Sequence, residues 1–424
     1  MSNAIPLSEW YNETRRCMRC GLCRGACPVF DVVDTEPSAS RGKVQLVRAL
    51  LEERLEPTET LKQLVSLCLN CGACAANCPS GVRVHEIVLS ARAELMSQLG
   101  QPLMERLMLR GVAADSGRLA LGSKATALYQ KTGLRWLAHK TRLLDALPGD
   151  LRGKDKFIPN LPLRSARGRI PPLSGPKDAK ARVAYFLGCT SNLLEPSLAV
   201  TLVRVLARNN YQVLVPPKLE CCGMPHLSYG DVETARRLER ANVEALNQLE
   251  VDAIVVDCAT CGSTIKRYEG LKAPVYDICE YAADNLGMDL ANSHGFRARV
   301  TYHDPCHLVR GQSISAAPRQ MLRSIPDVEF VEMAEADRCC GGGGSFNLTH
   351  YEVSMSILDR KTTNILETGA EVVATGCPSC RMQLRHGLKR EKERRKTRGL
   401  ANSTDLPQEV LHPIELVARA MGFV

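Results

Sequence analysis

Two cysteine runs constrain this chain more than any other feature. They read Cys17-Met-Arg-Cys20-Gly-Leu-Cys23-Arg-Gly-Ala-Cys27-Pro28 and Cys68-Leu-Asn-Cys71-Gly-Ala-Cys74-Ala-Ala-Asn-Cys78-Pro79, each of the form C-x2-C-x2-C-x3-C-P. Three closely spaced thiolates on a tight loop supply three corners of a [4Fe–4S] cube. The fourth, ahead of a proline that turns the chain away, reaches the neighbouring cube. The spacing predicts one cluster on Cys17, Cys20, Cys23 and Cys78 and a second on Cys68, Cys71, Cys74 and Cys27. Zinc is the alternative. It takes four ligands in paired C-x2-C units, often with histidine, and two runs of four backed by proline fit it poorly.

The 424 residues allow roughly two to four domains, and 45% hydrophobic against 24% charged content is that of a globular chain with true cores. No apolar run reaches the length of a membrane span, and no basic segment followed by an apolar one marks an export signal at Met1–Trp10. Nineteen cysteines in such a chain point to metal sites in a reducing cytoplasm rather than a disulfide scaffold. The expected location is therefore cytoplasmic, with peripheral attachment to the inner face of the membrane as a variant. Of the net charge of +9, residues 381–398 carry nine Lys/Arg against two Glu. That stretch reads as a solvated helix end, or else as a contact for an acidic partner or an anionic membrane face. Aromatic content of 4% and no recognised module argue against nucleic acid.

In chain order, residues 1–98 read as a helical two-cluster domain. Val44, Leu46, Val47, Leu50, Leu51 and Leu55 form one helical stripe, Leu61, Leu64, Val65 and Leu67 a second that delivers Cys68, and a third helix starts at Val84. His85 on it reads as a surface or packing residue, the alternative being a cluster border. Residues 99–145 read as an amphipathic extension cut into short helices by Gly111, Gly117, Gly122 and Gly133. Its apolar residues, among them Leu103, Leu107, Leu128, Leu134, Trp136 and Leu137, are expected in a core, or else at a partner or membrane interface. Residues 146–182, with six prolines and nine Lys/Arg against three Asp, read as a basic linker running extended over the surface.

From Val183 short apolar strands alternate with helices, as in a parallel sheet covered by helices. The pattern then repeats. Val183-Ala-Tyr-Phe-Leu-Gly-Cys189 matches Val300-Thr-Tyr-His-Asp-Pro-Cys306, Leu219-Glu-Cys-Cys-Gly223 matches Asp337-Arg-Cys-Cys-Gly341, and Cys258-Ala-Thr-Cys261 matches Cys377-Pro-Ser-Cys380. The cysteine offsets are 117, 118 and 119 residues, so two homologous domains, 183–292 and 298–424, are expected to pack with pseudo-two-fold symmetry. The fold class is α + α/β. Loops after parallel strands gather at one sheet edge, which brings Cys189, Cys221, Cys222, Cys258 and Cys261 together in the first repeat, and Cys306, Cys339, Cys340, Cys377 and Cys380 in the second.

Five thiolates exceed the four that a cube or a zinc tetrahedron needs, so a bridging thiolate or an unusual cluster geometry enters. Redox dithiols and zinc are the alternatives. Gly341–Gly344 lack the Lys-Ser/Thr of a phosphate loop and read instead as letting backbone N–H groups approach cluster sulfurs. His303, Asp304 and His307 flank Cys306 as candidate proton carriers. Cys279, outside every motif, reads as a buried thiol after a strand.

These residues resemble the glycolate oxidase iron–sulfur subunit family. They are also similar to the C subunit of anaerobic glycerol-3-phosphate dehydrogenase and the D subunit of heterodisulfide reductase, which share the paired-cysteine "CCG" domain. Arg41-Gly-Lys-Val-Gln-Leu-Val-Arg48, Cys78-Pro-Ser-Gly-Val-Arg83 and Pro102-Leu-Met-Glu-Arg-Leu-Met-Leu-Arg-Gly111 look most like the glycolate branch. The resemblance covers nearly the whole chain. It implies an electron-transfer subunit beside an FAD-binding dehydrogenase of glycolate or D-lactate, delivering to quinone or another carrier, with FAD on the partner. Members of the glycolate branch often lack some paired cysteines. All ten are present here, as in heterodisulfide reductases, whose domains hold noncubane [4Fe–4S] clusters. Disulfide reduction at such a cluster is the second function in view, and a structural zinc scaffold the third. No G-x-G-x-x-G dinucleotide fingerprint is found, so no catalytic residues for hydroxy-acid oxidation are assigned.

Overall fold

The computed structural model describes residues 5–141, 155, 158–285, 296–399 and 406–423. The helices Ser40–Leu51, Glu59–Ser66 and Val84–Leu99 form the N-terminal module. Their stripes bury Val44, Val47, Leu61, Val65, Ile87, Val88, Ala91 and Leu95 in one core. The Thr58 hydroxyl caps the second helix by accepting from Leu61 N at 3.2 Å. Trp10 Nε1 donates to Ser90 Oγ at 2.9 Å and ties the N-terminal segment to the third helix.

The extension comprises the helices Leu103–Arg106, Leu107–Ala113 (a π-helical stretch), Ser116–Lys131 and Leu134–Lys140. Gly117 and Gly122 sit inside the third of these, and only Gly133, at φ +82°, separates helices as expected. Asp115 caps that third helix by accepting from Arg118 N at 2.8 Å, and a capped start tolerates two internal glycines at about 1 kcal/mol each. The expectation of an apolar core also fails. Leu103, Leu107, Leu128, Leu134, Trp136 and Leu137 are 48–63% exposed. The inner face docks through polar contacts instead: Arg110 donates to Asp231 at 2.8 and 2.9 Å, and Ser116 N to Glu220 at 2.7 Å.

Nine strands are described. They are β1 (Leu173–Ser174), β2 (Ala181–Tyr185), β3 (Tyr211–Leu214), β4 (Ala253–Val256), β5 (Val275–Asp277), β6 (Ala298–Tyr302), β7 (Val328–Val331), β8 (Val372–Ala374) and β9 (Glu409–Leu411). They form two sheets, in the orders β1-β3-β2-β4-β5 and β7-β6-β8-β9. All neighbours are parallel except β1, which runs antiparallel on β3. Omitting β1, the two orders are identical, and Val183 pairs with Ala253 as Val300 pairs with Val372. The helix Pro196–Arg208, with proline in its first turn, and the helix Ile278–Asn285 belong to the first repeat. Their counterparts in the second are Ala316–Arg323 and Pro413–Ala420. Each packs on the non-equivalent helix of the other repeat, which is the pseudo-two-fold arrangement. One core runs through both, from Val183 and Tyr185 to Val300 and Tyr302.

Part of the basic stretch 146–182 lies outside the described residues, as does part of the boundary between the repeats. The remainder of that stretch is not purely extended. Leu161, Ala166 and Ile170 are buried and β1 closes the first sheet's edge, because three apolar residues spaced along it suffice to dock it. The charge at 381–398 is likewise only partly solvent-facing. Arg381 is 1% exposed and bonds Glu415 at 2.9 Å and Glu195 of the other repeat at 3.5 Å.

Candidate metal centres

Both cysteine runs fold the same way. Gly21 and Gly72 take φ +88° and +71° and open the short helices Leu22–Ala26 and Ala73–Ala76, which present Cys23 and Cys74. Burial pushes the Cys23 thiol up, neighbouring Cys17, Cys27 and Cys20 oppose its ionisation further, and Cys78 packs with Cys17 and Cys23 on one core. Cys27 crosses to the second run. Its sulfur lies near those of Cys71 and Cys68, and one cavity is lined by Cys27, Cys68, Cys71 and Cys74. Four thiols around a single cavity fit the donor set of a cube. His85, half-buried, lines that cavity too, so it borders the site. Burial pushes its pKa down to about 4.

In the first repeat the sulfurs form a file. All five are free thiols, and Cys189 lies beside Cys221, Cys221 beside Cys222, Cys222 beside Cys261, and Cys261 beside Cys258. The second repeat copies it, from Cys306 through Cys339, Cys340 and Cys380 to Cys377. All five predicted cysteines thus converge in each repeat. Hydrogen bonds from Cys221 and Cys261 hold the Cys222 thiol well below its ordinary range, and those from Cys339 and Cys380 do the same for Cys340. Backbone groups of Met224 and Gly342 act in the same direction on Cys222 and Cys340. Gly341, at φ +85°, is required on steric grounds as well: a Cβ there would meet Ser354 O at 2.7 Å.

Two contacts join the files. Cys258 lies against Cys377 across the interface between the repeats, and Cys71 of the N-terminal module against Cys339. The module docks there through Val29, Leu69, Cys339, Phe346 and Ile357, and Asp31 pairs with Arg338 and with Arg360, the latter at 3.0 Å.

The candidate proton carriers separate. Asp304 is held by Arg319 at 2.6 Å, and His307 bonds Thr260 Oγ1 at 3.1 Å and Asn70 O at 3.2 Å. His303 is fully buried, and its ring lies within 4.8 Å of the Cys340 and Cys380 sulfurs. Neither ring nitrogen makes a hydrogen bond of normal geometry among the described residues, although the Ala336 backbone approaches it. Burial pushes its pKa down to about 3, so the ring is neutral at pH 7. Cys279 is fully buried after β5, as expected.

Sequence reasoning missed two cations beside the second run, Lys43 buried and Arg92 half-buried. Lys43, 2% exposed, donates to Ser38 O and lies near Cys68 and Cys27. Arg92 donates to the carbonyls of Val65, Ser66 and Cys68 at 3.2, 3.0 and 2.7 Å, and to Ser228 O at 3.0 Å. Both compensate the negative charge of a thiolate site. On sequence each looks like one more charge between helical stripes, and only the fold turns them inward.

Comparison with known proteins bears on the same residues. The cysteine-rich domain CCG matches residues 183–266 and 300–385, the 4Fe-4S dicluster domain 13–82, and the linker region of the glycolate oxidase iron-sulfur subunit 100–157. The probable glycolate oxidase iron-sulfur subunit of Bacillus subtilis is 32% identical over 89% of this chain and 90% of its own length. The chain belongs to the glycolate oxidase iron–sulfur subunit family. Within that family, the Escherichia coli glycolate oxidase iron-sulfur subunit is 26% identical over 87% of this chain and 89% of its own length. The D subunit of the dihydromethanophenazine:CoB–CoM heterodisulfide reductase of Methanosarcina barkeri is 28% identical over 97% of this chain and 94% of its own length. These relatives are iron–sulfur subunits of oxidoreductase complexes, and this family member is an iron–sulfur protein of that type. Among the described residues no helix is long and apolar enough to cross a membrane.

Proposed function

We propose that this chain is the electron-transfer subunit of a flavin-dependent 2-hydroxy acid dehydrogenase, acting on glycolate or D-lactate, with FAD on a partner chain and quinone or another carrier as acceptor. The observation that carries it is the unbroken file of sulfurs, from the cavity of Cys27, Cys68, Cys71 and Cys74 through Cys71 and Cys339 into the second repeat, and through Cys377 and Cys258 into the first. A cube on those four cysteines, a second on Cys17, Cys20, Cys23 and Cys78, and clusters on the two sets of five would form one conducting row. Bound clusters supply one-electron redox capacity. The protein's own residues hold them, exclude water and set their charge: Lys43 and Arg92 place positive charge beside Cys68, and Gly342 and Met224 turn backbone groups toward thiolates.

The test is anaerobic. The purified chain should contain iron and sulfide, leave glycolate and D-lactate untouched, and show reduced-cluster EPR signals with either acid only when the flavoprotein is added. Hydroxy-acid turnover by the isolated chain would overturn the reading. Disulfide reduction is the second reading. It is favoured by the contact of Cys258 with Cys377, which places both five-cysteine sets at one interface, and by the presence of all ten paired cysteines. Turnover of a disulfide by the dithionite-reduced chain distinguishes it.

A further inference from the structure

One cavity of about 220 Å³ lies where all parts of the molecule meet. Its wall takes Cys68, Arg92 and Met96 from the N-terminal module, Glu105 from the extension, Tyr229 from the first repeat and His350 from the second. It is smaller than the pockets that hold drug-sized ligands, roughly 300–1,000 Å³, so it suits a ring system rather than a dinucleotide. The lining mixes apolar side chains, Leu95, Met96 and Phe346 among them, with the charged groups of Glu59, Lys62, Arg92 and Glu105. Polar groups enter it from different domains. The Tyr229 phenol contacts the Ser345 hydroxyl, and His350 Nε2 lies 2.9 Å from Ser66 Oγ. Arg92 is hydrogen-bonded to Cys68 O, so the cavity is joined directly to the chain that carries a cluster cysteine.

Pro102 and Glu105, at the start of the extension, form part of the wall, and Pro102 is exposed to solvent. Leu103, Met104, Leu107 and Met108 beside it are 53–72% exposed. An apolar band of that kind fits the boundary layer of a membrane.

We propose that this cavity is the acceptor site, and that it takes the ring of a quinone supplied from the membrane on which the apolar band rests. This rests on the electron-transfer reading above and names where the electrons leave. The quinone gains two electrons and two protons to become the quinol. The electrons arrive singly from the cluster beside Cys68, having come from the hydroxy acid oxidised on the partner. The protons come from water, with Tyr229 and His350 as the groups that hydrogen-bond the two ring oxygens. A quinone fits the volume and the mixed wall: a single ring with an oxygen at each end, met by hydrogen-bonding side chains, and changed only by electrons and protons.

The experiment uses the full chain with its clusters loaded and reduced by dithionite, the excess removed. Re-oxidation is followed after mixing with decylubiquinone or, as a control for cluster loading, ferricyanide. The rate with decylubiquinone should saturate. The ratio of the decylubiquinone to the ferricyanide rate should fall at least tenfold in Met96→Trp, which fills the cavity, and in Thr349→Trp, an exposed position in its wall. A photoreactive azidoquinone should label the peptides containing Tyr229 or His350, and decylubiquinone should compete. Unchanged ratios in both variants, or labelling elsewhere, overturn the acceptor site while leaving the electron-transfer reading in place. A reduced chain that passes electrons to neither oxidant overturns both.

Discussion

The two repeats share strand order, register and five cysteines, yet they do not hold equivalent positions in the molecule. The second touches the N-terminal module through Cys71 and Cys339, whereas the first meets the file through Cys258 and Cys377. Beside the cysteines, Phe186 in the first stands where His303 stands in the second, and Met224 where Gly342 stands. Duplication therefore supplied the scaffold and the sulfurs, and later divergence of the residues beside them set the two sites apart. A scaffold repeated in register keeps its thiols because all five must converge. The side chains behind them are free to change polarity.

The largest effect separates the sites outright. Cys339→Ala is expected to abolish the second-site cluster, seen as missing iron and a missing EPR signal, and to cut the first site off from the N-terminal clusters. Cys221→Ala is expected to remove only the first-site cluster and leave transfer into the second intact. Equal damage to transfer from the two substitutions would show that the first repeat has its own connection to the module.

A second contrast lies at the helix starts. Asp277 and His412 are equivalent, both fully buried, and both cap the helix that follows: Cys279 N donates to Asp277 at 2.9 Å and Ile414 N to His412 at 3.2 Å. Burial drives their pKa values in opposite directions, Asp277 up to about 7 and His412 down to about 3. Lys266 and Glu280 face the first, and Arg381 and Cys377 the second. Folded Asp277 keeps a proton that the unfolded side chain releases above its ordinary 3.8, so its contribution to stability is lost as pH rises from about 4 to 7. Folded His412 refuses a proton that the unfolded side chain takes up below 6.5, so stability is lost as pH falls from 6.5 toward 3. Asparagine keeps the cap at either position. Urea midpoints of Asp277→Asn should no longer fall between pH 4 and 7 relative to the parent, an effect of up to about 4 kcal/mol. His412→Asn should remove the acid-side loss instead. The same pH dependence in parent and variants would mean that neither group titrates with folding.

The turn glycines come next. Gly223 and Gly341 both take φ +85° after the paired cysteines. A Cβ at Gly223 would meet Ala235 at 3.4 Å, an ordinary contact, whereas at Gly341 it would meet Ser354 O at 2.7 Å. Gly223→Ala should cost about 1–2 kcal/mol, the left-handed backbone alone, and Gly341→Ala a further ~1–3 kcal/mol of overpacking. Thermal or urea unfolding orders them, and equal losses would remove the steric distinction.

Much of this was readable from sequence, and the reason is local. Cysteine spacing, the proline after each run and the strand–loop–helix order are short-range features, so the two sheets, the repeat and the convergence of each set of five could be derived. What could not be read depends on packing between distant segments. The extension is amphipathic, and periodicity alone does not say that its apolar face points outward while Arg110 and Ser116 dock inward on Asp231 and Glu220. Lys43, Arg92 and Arg381 appear as ordinary charges until the fold turns them inward. The contacts of Cys71 with Cys339 and of Cys258 with Cys377 cross domain boundaries, which no spacing rule reaches.

The smallest expected effect concerns the most specific difference. His303 is neutral at pH 7, so one ring nitrogen carries a proton and can donate toward the sulfurs of Cys340 and Cys380. Such a donor favours the more negative, reduced state of a cluster held there and raises its potential. His303→Phe copies the first repeat into the second and is expected to lower that site's potential by roughly 60 mV, a tenfold change in a one-electron equilibrium. Phe186→His is the reciprocal change and is expected to raise the first site's potential by a similar amount. EPR-monitored redox titration reads both. If only His303→Phe shifts, the geometry around Cys340 is special to the second repeat. If neither shifts, the divergence between the repeats must act through Met224 and Gly342, whose backbone groups meet Cys222 and Cys340.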